Sequence, residues 1–150
     1  MIKVMFVCLG NICRSPMAEF ILKDMIRKRG IDDKFYIASS ATSSEEIGND
    51  VHYGTVSKLN SVGIKVEHRK AIKLKKTDYE KYDYIIGMEE RNIQSIIGIF
   101  GNDKNKKISK LLDFTENPRD IADPWYTGNF DKTYEDIVEG CEAFLKKLGY

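Results

Sequence analysis

Val4-Met5-Phe6-Val7-Cys8-Leu9-Gly10-Asn11-Ile12-Cys13-Arg14-Ser15-Pro16 is an apolar run that stops at a cysteine and passes through a polar loop into a helix start. A short, bounded apolar run fits a strand buried on both faces, although periodicity alone does not separate it from a buried helix segment. Gly10 and Asn11 decide the matter, because both tolerate turn geometry and neither suits a helix interior. Ser15 is then placed to cap a helix with Pro16 at its first position, where a missing N–H costs nothing. Ala18, Ile21, Leu22, Met25 and Ile26 form one apolar stripe, and Gly30 should end the helix.

Such a loop, through Leu9, Gly10, Asn11, Ile12 and Cys13, points backbone N–H groups inward at the positive end of a helix. It therefore favours a bound dianion and a deprotonated thiol. Arg14 stands at the far end of the loop, where its planar fork suits two oxygens of a phosphate held above Cys8. The Ser15 hydroxyl is placed to donate to the sulfur. Cys-x5-Arg-Ser between a strand and a Pro-started helix points to in-line attack of sulfur on a phosphate monoester.

The 150 residues suit a single domain with a sizeable core. Lys and Arg total 24 against 23 Asp and Glu, so bulk charge gives no support to a nucleic-acid or membrane-surface partner. The basic runs Lys73–Lys76 and Lys104–Lys107 read as solvated surface. No long apolar segment or basic leader is present, so the expected setting is cytoplasmic. Three cysteines without a CxxC pair fit a reducing compartment with a working thiol. Cys8 and Cys13 share one loop, and a reversible disulfide between them stands beside the plainer reading of a packed Cys13. Cys141 falls on an apolar helix face and reads as core.

Further along, Phe35–Ser39 reads as a second strand entering a polar loop from Ser40 to Asn49. A helix from about Asp50 to Val62 turns Val56, Leu59 and Val62 inward and stops at Gly63. Ile64–Val66 suggests a short extended piece, Tyr84–Met88 a third strand, and Lys107–Leu112 a weaker fourth. Helices are expected from near Glu89 to Gly101, with Ile93, Ile96, Ile97 and Phe100 inward, and from Lys132 to Leu148. This alternation argues for an open, twisted, mostly parallel four-stranded α/β sheet with helices on both faces. Its ligand belongs at the carboxyl ends of the strands. Asp113 to Phe130 is left as a long loop, and long ordered loops are usually functional. Within it Asp123 is the best candidate for an acid, ahead of Asp120, because Pro124 stiffens the segment and Trp125 and Tyr126 suit an aromatic substrate ring.

These residues resemble the low-molecular-weight protein tyrosine phosphatase family over nearly the whole chain. Val7 through Glu19 matches the family signature, Asp123-Pro124-Trp125-Tyr126 matches its acid loop, and Ser39–Thr42 with Ile47-Gly48-Asn49 is similar to the loop after the second strand. The resemblance implies Cys8 as nucleophile, Arg14 as phosphate clamp, Ser15 as thiolate donor and Asp123 as general acid, then general base. It implies a left-handed Asn11 held by a polar network with Ser39 and His68. It also implies no metal or other cofactor, a phosphotyrosine-bearing protein as partner, and a monomer or weak homodimer. Two features depart from the family. Glu45 stands on the rim where many relatives carry an aromatic residue, and His68-Arg69-Lys70 lacks the usual spacing of the following basic residue; both bear on substrate range.

Rival functions are an arsenate reductase, an arginine phosphatase, or a non-catalytic phosphopeptide binder or phosphocarrier. The first needs relay cysteines, which residues 85–104 lack. The second has threonine where this chain has Ile12. A binder has no need of Cys8 and Asp123 together, and a carrier no need of Arg14 and Ser15.

Overall fold

A computed structural model describes all of residues 1–150. Four strands, β1 (Ile2–Cys8), β2 (Phe35–Ala41), β3 (Tyr84–Gly87) and β4 (Ile108–Lys110), form one parallel sheet in the order β2-β1-β3-β4. Six helices accompany it: α1 (Arg14–Lys28), α2 (Tyr53–Ser61), α3 (Asp78–Lys81), α4 (Glu90–Phe100), α5 (Pro124–Thr127) and α6 (Phe130–Lys147). The expected α/β class holds, and the sheet is wholly parallel.

The central position of β1 explains its unbroken apolar run. Val4, Phe6 and Cys8 face one core with residues of α1 and α6, while Met5 and Val7 face a second core with Tyr79, Ile96 and Phe100. Both sides of a parallel strand are buried this way because crossover helices cover both faces. After β1 the chain goes to one side to make β2 and then to the other to make β3. That reversal opens a crevice beyond the carboxyl ends of β1 and β3. The loop after β1 and the residues after β3 meet there.

Several boundaries move. Helix α1 begins at Arg14, so Pro16 is its third residue and Ser15 makes no cap; the Ser15 side chain is drawn onto Cys8 instead. Strand β2 continues to Ala41, whose backbone exchanges hydrogen bonds with Ile72 and Leu74. Helix α2 starts later than expected because His52 caps it, and Val62 is exposed. Ile64–Val66 forms no strand. Met88 lies just past β3, and Ile97 is exposed on α4, which ends at Gly101 in the left-handed region at φ 89°. Leu111 and Leu112 leave β4 for a 3-10 turn that packs under α6. The short helices α3 and α5 went unpredicted, since four residues carry too little periodicity to read. No helix is long and apolar enough to cross a membrane.

Candidate active site

The crevice is floored by Cys8, Leu9, Gly10, Ile12, Cys13 and Arg14. Ser43, Glu45 and Glu46 line it on one side, and Asp123, Trp125 and Tyr126 on the other. Asp120 does not line it; it accepts from the Glu90 N–H and pairs with Lys110.

The Cys8 Sγ is ringed by donors. The N–H groups of Asn11 and Ser15 lie 3.3 and 3.4 Å away, and the Ser15 Oγ lies at 3.0 Å. Because that Oγ already accepts from Asn11 Nδ2 at 2.8 Å, its hydroxyl proton is free to point at the sulfur. Three donors and no carboxylate meet the sulfur. The N–H groups of Leu9, Gly10, Ile12, Cys13 and Arg14 donate to no protein acceptor, which leaves the rest of the loop available to oxygens above the sulfur.

Asn11 keeps the loop in this shape. It sits at φ 58°, a region an L-residue enters at a cost of about 1–2 kcal/mol. Its side chain offsets that cost by donating to Ser15 and to Ser39 Oγ at 3.0 Å, and by accepting from the Ile72 N–H at 3.2 Å. Ser39 Oγ in turn donates to the buried Glu19 at 2.6 Å. Asn11, Ser15 and Ser39 thus lie behind the loop, with their side chains turned from the crevice. His68 is not part of this network. It is exposed and pairs with Asp50 at 2.7 Å, because its side chain leaves the segment on the solvent side. Arg69 takes the expected place, donating to Asn11 O at 2.9 Å and Ser39 Oγ at 2.6 Å. Burial draws the Arg69 guanidinium below its usual range, against the opposing pull of Glu19 and Cys8.

Arg14 is 2% exposed and aimed by three acceptors. Its Nη1 donates to Glu89 at 2.5 Å and to Ile121 O at 2.9 Å, and its Nη2 reaches Asp123 at 3.3 Å. Its Nε is buried without a partner. Burial pushes this guanidinium down, but Cys8, Asp123 and Glu89 outweigh it and hold it above its ordinary value. Glu19 and Glu89 escaped assignment from sequence, because the groups they hold at the loop, Ser39 and Arg14, lie 20 and 75 residues away along the chain.

Asp123 caps α5, accepting from the Trp125 N–H at 3.0 Å with one oxygen while the other faces Arg14. Trp125 and Tyr126 are exposed on the rim, open to a ligand ring. Burial pushes the Cys13 thiol up to about 12, with Cys8 and Asp123 adding to the effect and Arg14 opposing it. Cys13 and Cys8 are both unpaired thiols, and Cys141 is a fully buried core residue.

Known proteins match this arrangement from end to end. The chain is 41% identical over 150 residues to the low molecular weight protein-tyrosine-phosphatase YfkJ of Bacillus subtilis, covering 99% of this chain and 96% of that protein. The crystal structure of YfkJ superposes with a TM-score of 0.95 over 99% of this chain and 95% of that one, at 40% identity. The low molecular weight protein-tyrosine-phosphatase PtpA of Staphylococcus aureus is 38% identical over 97% of this chain and 92% of its own. A drosophila arginine phosphatase shares the fold at a TM-score of 0.88 and 28% identity, over 99% of each chain. The family profile described as low molecular weight phosphotyrosine protein phosphatase matches residues 3–150. With its phosphate-shaped loop and whole-length likeness to these proteins, the chain belongs to the low molecular weight phosphotyrosine protein phosphatase family.

Proposed function

We propose that residues 1–150 form one phosphatase domain that hydrolyses phosphotyrosine in proteins or peptides, and related aryl phosphates, through a phosphocysteine. The observation that carries this reading is a buried, unpartnered Arg14 Nε in the floor of a crevice whose loop N–H groups are also free, beside a donor-ringed sulfur. Those groups suit the equatorial oxygens of a phosphate in line with Cys8.

In the first step the Cys8 sulfur forms a bond to phosphorus as the bond to the tyrosyl oxygen breaks. The Asp123 carboxyl gives that oxygen its proton. In the second, Asp123 as carboxylate takes a proton from water, whose oxygen bonds to phosphorus as the sulfur leaves. Inorganic phosphate departs and both residues return to their starting states. Phosphate oxygens compete with Asp123 for Arg14 Nη2, which frees the carboxyl for the leaving group.

Ile12 in the floor supports a phosphotyrosine over a phosphoarginine substrate. The acidic Glu45 on the rim disfavours acidic peptides. Three unpaired thiols support a cytoplasmic setting, and the family supports phosphoproteins as partners.

The test is to quench the enzyme during turnover of radiolabelled substrate and map the label. Label on Cys8, absent from Cys8→Ser, is expected; turnover with no labelled protein would remove the covalent route. Release of phosphate from phosphoarginine peptides but not phosphotyrosine peptides would reverse the substrate class.

A further inference from the structure

His52 lies outside the crevice, yet it touches both of the segments that the proposed chemistry must align. Its N–H donates to Ile12 O at 2.8 Å, in the loop that holds Cys8. Its ring caps α2 by accepting the Gly54 N–H at Nδ1, 3.0 Å away. Three residues into that helix start, Thr55 Oγ1 donates to Cys13 O at 3.2 Å, a second tie from α2 to the same loop.

The rest of the ring is committed to aromatic contacts. It stacks on Tyr53 at 4.4 Å and on Phe130 at 5.5 Å, and meets the Trp125 ring edge-on at 5.4 Å. Trp125 lies within the acid loop and Phe130 opens α6 four residues beyond it, so the loop and the helix that follows it rest on one imidazole. Gly54 keeps the stack possible: a Cβ there would fall 2.3 Å from the Phe130 ring. From Trp125 the path to the chemistry is one hydrogen bond long, since its N–H holds Asp123 Oδ1, leaving Oδ2 toward Arg14.

We propose that His52 is a positioning residue, fastened by its main chain to the phosphate loop and by its ring to Trp125, that sets where Asp123 sits over Cys8. Offset and edge-on aromatic pairs are individually weak, enough to bias a short, exposed loop toward one placement and too little to decide the fold. The inference rests on the reading of Asp123 as the acid, and the experiment separates the two.

Two substitutions divide the roles of the side chain. His52→Asn keeps a capping acceptor for the Gly54 N–H and removes the ring; His52→Phe keeps a ring and removes the cap. Trp125 is the only tryptophan in the sequence, so its emission reports the contact directly. In His52→Asn, acrylamide quenching of Trp125 should rise about twofold as the ring loses its edge-on neighbour. Its kcat/KM on phenyl phosphate should fall about tenfold while that on p-nitrophenyl phosphate stays within about twofold, because only a poor leaving group needs the proton. His52→Phe should restore both readouts toward wild type while unfolding at a lower temperature.

The proposal is overturned if His52→Asn leaves either the quenching or the ratio of the two substrates unchanged, or if His52→Phe behaves as His52→Asn does. Asp123→Asn is the reference. Should it lose both substrates equally, the acid reading has failed, and the quenching still decides whether His52 seats Trp125.

Discussion

Glu89 Oε2 lies 2.5 Å from Arg14 Nη1, a part-buried pair that ties the start of α1 to the residue that caps α4. Together with Ile121 O it occupies Nη1 and leaves Nε without a partner, on a side chain that lines the crevice with Cys8. Glu89 is itself held at the start of α4, where Asn92 Oδ1 accepts from its N–H at 3.1 Å. The guanidinium is therefore aimed before any phosphate arrives, and aiming in advance is what makes a clamp effective.

Replacing Glu89 by Ala should turn Arg14 loose without removing its charge. The expected loss is about a hundredfold in kcat/KM, with weaker inhibition by vanadate. Steady-state kinetics checks it. A loss confined to thermal stability, with vanadate affinity kept, would make Glu89 a fold residue only.

Asp123→Asn preserves the acceptor that the Trp125 N–H needs and removes the transferable proton. Phenyl phosphate should lose about a hundredfold or more in kcat/KM and p-nitrophenyl phosphate far less. Measuring a series of aryl phosphates of graded leaving-group acidity decides it, and parallel losses along the series would take Asp123 out of the acid role.

Arg69→Met removes both donors that hold Asn11 O and Ser39 Oγ while keeping much of the buried stem. The Asn11 turn then loses its outer support, and kcat should drop about tenfold together with the rate of Cys8 alkylation by iodoacetate. His68→Ala, exposed and outside the network, should leave both rates within about twofold. The reverse ranking would restore His68 to the place expected from sequence.

The two other thiols make stability depend on alkaline pH. Burial raises Cys13 from 9.0 to about 12 and raises Cys141 further, so the folded state keeps protons that the unfolded chain gives up. The stability linked to Cys13 is complete below pH 9.0 and is lost as pH rises toward about 12. In that window each thiol should contribute a fall of about 1.4 kcal/mol per pH unit. Urea unfolding from pH 8 to 10.5 measures the slope, and Cys13→Ala should flatten it by about one proton's worth.

The loop from Cys8 to Ser15 was readable because its determinants are local. A strand end, a turn residue and a helix start follow one another within a few residues, and the thiol and guanidinium arrive in the same stretch. The place of Asp123 at the crevice was readable for a similar reason, its proline and aromatic neighbours marking a stiff segment inside a long loop. Where partners are distant the reading faltered. Arg69 meets Asn11 across 58 residues and Glu89 meets Arg14 across 75, and no periodicity records such pairs. His68 lost its expected place because two adjacent residues of an irregular segment point to different sides, and polarity alone does not say which turns inward. His52 carries no local signal, and only the fold brings three aromatic rings around it.

The amino-acid order alone determined the α/β class, the central strand that ends at Cys8 and the turn and helix start that follow it, because backbone preference and burial pattern act over a few neighbouring positions. Only the tertiary structure decided which cation supports Asn11, which carboxylate aims Arg14, and which ring the acid loop leans on. Those choices depend on side-chain direction to within an ångström or two, and that is set when separate elements pack against one another.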